Sequence, residues 1–211
     1  MKEHPDWNRR YLEGDTPWDQ GGPSPALVTR RRREPIFPPG SRILVPGAGR
    51  GHDALFLASE GFEVVAVDLA EEAVRAGRRA AALAGLSSLC EFRQADLFEL
   101  PREEREAFDG VFEHTCYCAI DPGLRGDYVT AVRDCLRPGG LFLGLMFPME
   151  EREGGPPYGL DETEIRERFE GAGFLLLRSA EAEGSPPARA GRERWMEFER
   201  AGGEAGGTSR G

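Results

Sequence analysis

The sequence lacks any apolar run approaching the ~18–20 residues that a membrane-spanning helix requires, although 39% of its 211 residues are hydrophobic. Basic charge is in deficit: 27 Lys and Arg stand against 37 Asp and Glu, for a net charge of −10. Such an acidic balance argues against non-specific binding to nucleic acid or to an anionic membrane surface. Cysteine is scarce, four in the whole chain, too few for a disulfide framework at this length. Residues 1–10 are charged and lack the apolar stretch of a secretory signal. Together these absences point to a reduced, cytoplasmic protein with neither membrane nor nucleic-acid partner, as a monomer or weak homo-oligomer. The length suits one domain with a single sizeable core.

What the chain does have is a regular alternation. Residues 1–14 read as a short polar helix with Trp7 and Tyr11 one turn apart on the same side. A turn-rich loop at 15–25 carries Trp18, and a second helix is expected at 26–35. The Arg30–Arg33 run on it reads as a solvated face rather than a phosphate site. From Arg42 onward, strands are expected at 42–46, 63–68, 91–96, 108–113, 141–147, 174–178 and 192–199. Helices are expected at 52–60, 70–84, 125–136 and 161–170, with a turn at 137–140. The pattern predicts an α/β fold with a mostly parallel seven-stranded sheet and helices on both faces. Residues 1–35 then form an N-terminal segment and 36–200 the sheet domain. The glycine-rich stretch 201–211, without an apolar anchor, reads as a disordered tail.

The chemistry concentrates after the first strand, in Pro46-Gly47-Ala48-Gly49-Arg50-Gly51. Glycines there let the backbone turn sharply and approach a ligand. Asp68 closes the second strand 21 positions beyond Gly47, where an acid accepts hydrogen bonds from both ribose hydroxyls of an adenosine. Dinucleotides and S-adenosylmethionine share this layout. Asp53, just after the glycines, is an unhelpful charge for a phosphate at a helix N-terminus. S-adenosylmethionine carries no phosphate and is net positive, and Asp96 is placed to take its adenine amino group. The residues favour the methyl donor.

Further motifs carry a resemblance. Trp7, Thr16-Pro17-Trp18-Asp19, Leu44-Val45-Pro46-Gly47, Thr115-Cys116-Tyr117-Cys118-Ala119-Ile120, Met146-Phe147-Pro148 and Gly154-Gly155-Pro156-Pro157-Tyr158 resemble the thiopurine S-methyltransferase-like family. Within it they resemble the halide/thiol methyltransferase branch of the class I, Rossmann-like methyltransferases. The resemblance spans Trp7 to Trp195. It implies that Trp7, Tyr11 and Trp18 close over the cofactor, with Gly47 and Gly49 at its methionine portion. It also implies Asp68 at the ribose and Asp96 with Leu97 at the adenine. His114 falls where relatives carry Tyr or Arg against the cofactor. Tyr158 matches a tyrosine pointing at the acceptor, and Cys116 and Tyr117 complete the expected acceptor pocket. Cys116 replaces a bulky aromatic of the plant enzymes.

His114-x-Cys116-x-Cys118 has metal-ligand residue types, but it follows a strand end, where strict alternation fails. Buried thiols in a pocket or core are expected instead, without a metal. The reaction implied is methyl transfer to a small soft nucleophile, a thiol or selenol, with halide or thiopurine acceptors and a non-catalytic cofactor-binding regulator as alternatives. Thiolates form readily near neutral pH, so no strong base is expected. Tyr158 and His114 would orient or desolvate the acceptor.

Overall fold

The structure, a computed structural model, describes residues 5–100 and 102–202. The first residues of the expected N-terminal helix and most of the expected tail lie outside the described residues. Seven strands form one sheet: β1 (Arg42–Pro46), β2 (Glu63–Asp68), β3 (Cys90–Gln94), β4 (Phe108–His114), β5 (Leu136–Met146), β6 (Phe174–Glu181) and β7 (Arg194–Arg200). Their order is β3-β2-β1-β4-β5-β7-β6. Strands β1 to β5 pair in parallel, while β7 runs antiparallel between β5 and β6.

Helices α1 (Trp7–Glu13) and α2 (Pro25–Arg33) precede the sheet. Helices α3 (His52–Ser59), α4 (Glu71–Leu83), α5 (Arg125–Cys135) and α6 (Glu162–Gly171) alternate with the strands. The period of two along each strand builds both layers. Ile43, Val45, Val64 and Ala66 face Leu57 of α3, Val74 of α4 and Leu27 of α2. Leu44, Val65, Val67 and Phe142 face Val129 and Val132 of α5 and Phe169 of α6. Among the described residues, no helix is long and apolar enough to cross a membrane.

Three local expectations shift. Strand β3 stops at Gln94 because Asp96 caps a short 3₁₀ turn, Leu97–Glu99, by accepting the Phe98 N–H at 2.9 Å. Strand β5 starts earlier than expected, at Leu136, which pairs with Phe108 ahead of a register shift. The Arg30–Arg33 run is a solvated face only in part: Arg32 and Arg33 are exposed, while Arg30 and Arg31 are half-buried. Arg30 reaches Glu197 at 2.7 Å over the Trp195 ring, Arg31 reaches Glu60 at 3.1 Å, and Arg33 pairs with Glu183. These pairs tie α2 to neighbouring elements.

The chain runs outward from β1 to β3, then returns to place β4 on the other side of β1. That reversal opens a crevice beyond the carboxyl ends of β1 and β4, where ligands of open α/β sheets bind.

Candidate active site

The glycine loop leaves β1 into this crevice. Gly47 has φ of 56°, and a Cβ there would lie 2.8 Å from both Cβ and Sγ of Cys116. Gly49 has φ of 57°, and its Cβ would meet the Tyr11 hydroxyl at 2.7 Å. Only glycine takes this backbone and these approaches together without strain. The Gly49 N–H donates to Asp68 Oδ2 at 2.8 Å, and the Ala70 N–H donates to Oδ1 at 2.8 Å. Asp68 thus lashes the loop to the end of β2. Burial pushes its carboxyl pKa up, against the opposing pull of the Ala70 and Gly49 N–H groups. Each oxygen accepts one N–H and keeps acceptor capacity for a ligand hydroxyl.

A cavity of about 380 Å³ opens beside the loop, within the size range of small-molecule and cofactor sites. Sheet order divides its wall. Asp68 and Leu69 after β2, and Asp96, Leu97 and Phe98 after β3, line one side. Thr115, Cys116 and Cys118 after β4, Phe147, Pro156 and Pro157 after β5, and Arg189 before β7 line the other. Gly47 and Cys116 meet between the two sides. A carboxylate with spare acceptor capacity, an apolar slot beside Leu97 and Phe98, and a glycine cradle fit an adenosine-bearing cofactor. Among the described residues, the wall has no cluster of cationic groups on the β2–β3 side to hold a pyrophosphate.

The N-terminal segment closes the cavity from above the loop. Asp6 caps α1 by accepting the Arg9 N–H at 2.9 Å, and the Asn8 amide oxygen accepts the Glu72 N–H of α4 at 2.9 Å. Trp18 Nε1 donates to the Tyr11 hydroxyl at 3.1 Å, and the Trp7 and Trp18 rings meet edge-on at 5.5 Å. Burial, with Asp68 nearby, raises the Tyr11 pKa to about 12. The strap that follows is pinned: Asp19 meets Arg50, and His52 at 3.0 Å, while Ser24 N–H donates to Asp53 Oδ1 at 2.6 Å. Burial alone would raise the Asp19 pKa, but the Gly21 N–H, Arg50 and His52 hold it below the ordinary value.

Several expected site residues stand elsewhere. His114 Nε2 faces the Arg189 guanidinium at 2.9 Å, and Nδ1 faces Asp53 Oδ2 at 2.7 Å. Arginine only donates, so Nε2 accepts and the Nδ1 hydrogen goes to Asp53. Neither nitrogen is left for a substrate, and the ring borders a smaller cleft of about 60 Å³ beside Gly49 and Asp53, not the main cavity. Tyr117 is not on the pocket wall. It is wholly buried against Tyr128 and Phe169, at ring separations of 5.2 and 6.4 Å. Tyr158 folds its ring over Gly155, so that Pro156 and Pro157 reach the cavity in its place. Its backbone N–H donates to the Cys118 carbonyl at 2.7 Å. Gly49 supports the cavity through Asp68 and lines only the smaller cleft.

The structure also brings in residues that the sequence reading passed over. Arg189 stacks over Phe147 at 4.5 Å, donates to the Trp18 carbonyl at 3.2 Å and pairs with buried Glu193 at 3.2 Å. Arg10 lies over Trp18 at 4.4 Å on the same wall. No spacing announces Arg189, in a loop rich in Pro, Ala and Gly. Glu113 had a signal, an acid directly after the apolar pair Val111-Phe112 in β4.

The family model for thiopurine S-methyltransferase matches residues 2–196. The chain belongs to that family. It is 32% identical to the probable thiol methyltransferase 2 of Arabidopsis thaliana over 188 residues, 89% of this chain and 81% of that protein. It is 31% identical to thiocyanate methyltransferase 1 of the same plant over 195 residues, 91% of this chain and 84% of that protein. Among solved structures, the Burkholderia thailandensis 1,6-didemethyltoxoflavin-N1-methyltransferase, bound to S-adenosylhomocysteine and 1,6-didemethyltoxoflavin, superposes with a TM-score of 0.71. That likeness is at 25% identity and covers 93% of this chain and 86% of that one. The chain is therefore an S-adenosylmethionine-dependent class I methyltransferase, in the halide/thiol branch of the family.

Proposed function

We propose that the chain methylates a small, soft, anionic acceptor, a thiol or selenol reacting as its anion, with halide a slower substrate. The observation that carries this reading is the make-up of the wall beyond Gly47. Among the described residues, its titratable groups are Cys116, Cys118 and Arg189. Burial pushes the Cys116 thiol well above its ordinary pKa and the Cys118 thiol to about 12. Neither thiol takes a proton from an acceptor, and no carboxylate or imidazole stands on that side. Oxygen and nitrogen nucleophiles would need a base to remove their proton. A thiol with pKa near ~8.5 offers a few per cent of reactive anion at neutral pH unaided.

Arg189 supplies positive charge where such an anion would lie, and the apolar faces of Phe147, Pro156 and Pro157 strip its water. When bound, S-adenosylmethionine supplies an electrophilic methyl group. On this reading Asp68 holds the ribose, Asp96 and Leu97 the adenine and Gly47 the methionine portion. Trp7, Tyr11 and Trp18 exclude solvent. Tyr158 and His114 act indirectly, Tyr158 by fixing the proline turn and His114 by holding Arg189. The names of the relatives, thiol and thiocyanate methyltransferases, are consistent with a sulfur nucleophile.

The test is a panel of benzenethiol, 6-mercaptopurine, hydrosulfide, a selenol, thiocyanate, iodide, a catechol and a primary amine, read as S-adenosylhomocysteine release. Turnover should be highest with the thiols and the selenol and should rise with pH toward each acceptor's own pKa. Efficient methylation of the catechol or amine, with none of any sulfur or selenium compound, overturns the reading.

A further inference from the structure

Strand β4 reads Phe-Asp-Gly-Val-Phe-Glu-His, and its sixth residue, Glu113, is only 1% exposed. A carboxylate taken that far from water is costly unless it is paired and hydrogen-bonded. No cation pairs with Glu113 among the described residues. Three neutral donors converge on it instead. Oε1 accepts the N–H of Cys116 at 2.8 Å and of Tyr117 at 2.7 Å, and Oε2 accepts the Tyr128 hydroxyl at 2.5 Å. Tyr128 comes from α5 and is itself wholly buried. The carboxylate therefore joins the helix layer to the loop that leaves β4.

That loop carries unusual backbone. Thr115 has φ of 63°, a left-handed conformation that a β-branched residue adopts only when its surroundings impose it. Immediately after it the N–H groups of Cys116 and Tyr117 both turn inward to one carboxylate oxygen. The Cys116 side chain then points outward onto the cavity wall, against the Cα of Gly47. Without an acceptor at Glu113, two backbone donors would be orphaned at the one place where the two sides of the cavity meet.

We infer that Glu113 is a positioning residue for methyl transfer: its carboxylate holds the 115–118 loop so that Cys116 stands against Gly47, setting the width of the passage between cofactor and acceptor. It touches neither reactant. Its effect runs through the loop, whichever acceptor the enzyme uses.

The experiment compares Glu113→Ala and Glu113→Gln with the wild type in two measurements. The first is the alkylation rate of each cysteine by iodoacetamide, resolved by peptide mass. Cys90 and Cys135, buried in the two core layers, report global opening. Cys116 reports the loop. The second is kcat/KM with benzenethiol and with iodide, beside the calorimetric affinity for S-adenosylhomocysteine. Glu113→Ala should raise Cys116 alkylation about tenfold or more while Cys90 and Cys135 stay slow. Its kcat/KM should fall on the order of 10–100-fold, the loss expected of a misplaced reacting geometry. S-adenosylhomocysteine affinity should move by no more than about threefold, because Asp68 and Asp96 stand on other loops.

Glu113→Gln should recover most of both properties, since its amide oxygen still accepts the two N–H groups. If Glu113→Ala does not fold, Glu113→Asp, which withdraws the carboxylate by one methylene, carries the same measurements. Unchanged Cys116 reactivity and turnover in a folded variant would refute the proposal. So would equal loosening of all the cysteines with no recovery in Glu113→Gln, which marks a residue of general stability. The alkylation reading needs no acceptor, so it stands or falls apart from the thiol assignment.

Discussion

Gly47→Ala is the sharpest perturbation of the cavity, and its size follows from two separate costs. An L-residue held at φ of 56° pays about 1–2 kcal/mol for the left-handed conformation. The added Cβ would also lie 2.8 Å from Cys116 Cβ and Sγ, an overlap whose relief typically costs about 1–3 kcal/mol. The sum, about 2–5 kcal/mol, should lower the melting temperature by on the order of 5–15 °C for a domain of this size. Because the loop must shift to relieve the overlap, S-adenosylhomocysteine affinity by calorimetry should fall at least about tenfold. A second substitution separates the two costs. Cys116→Gly removes both overlapping atoms and should return the steric part, whereas Cys116→Ala leaves the Cβ in place and should return little. A Gly47→Ala protein that melts and binds like wild type, or a double variant in which Cys116→Ala rescues as well as Cys116→Gly, would refute the reasoning.

Asp68→Ala should weaken S-adenosylhomocysteine binding by about tenfold or more, since charge-assisted hydrogen bonds contribute roughly 1.5–3 kcal/mol each; calorimetry on the folded variant checks it, and unchanged affinity counts against the ribose role. Tyr117→Phe should be neutral or stabilising by about 1 kcal/mol in urea unfolding, because the buried Tyr117 hydroxyl has no hydrogen-bond partner among the described residues; a clear loss of stability would count against this reading. Burial raises the Glu113 pKa, so its contribution favours folding below the ordinary carboxylate range and is lost as pH rises through the raised value. Glu113→Gln, which does not titrate, should therefore gain stability relative to wild type as pH rises above the ordinary carboxylate range; a pH-independent difference would contradict the desolvation. Removing residues 1–15 takes away Trp7 and Tyr11, the ring neighbours of Trp18, and should loosen S-adenosylhomocysteine binding; an unaltered affinity by calorimetry would remove the lid role.

The fold was legible in the sequence because its information is local and redundant. Each of β1, β2 and β4 is a short apolar run between turn residues, and each crossover helix follows at the distance a βαβ unit needs. Boundaries were less legible where a single side chain decides them. Asp96 ends β3 early by capping the next turn. The packing of Arg30 and Arg31 was not legible because their acidic partners, Glu197 and Glu60, are distant in sequence, and only the tertiary fold brings them to α2.

In the site, the same distinction separates Asp68, placed by its position at a strand end, from residues whose expected roles came from the family resemblance. Asp68 ends a strand, so the pleat that aims Val67 into one layer leaves the next side chain at the crevice, beside the loop it anchors. Tyr117 and Tyr158 sit beyond breaks in regular backbone, and His114 is the last residue of β4, just before one. His114, still in β4, faces Asp53; beyond it the left-handed Thr115 turns the chain, so that Cys116 faces the cavity and Tyr117 faces the core. Strict alternation through that residue would set His114, Cys116 and Cys118 on one face, the arrangement that the sequence reading sets aside because the segment follows a strand end. Nothing at positions 114–118 alone shows the turn. The acid one residue before His114 does: a carboxylate buried in an apolar strand requires donors, and the nearest are the N–H groups that only a sharply turning loop would present. The buried acid in the strand is thus the sequence's own sign that the loop beyond it bends.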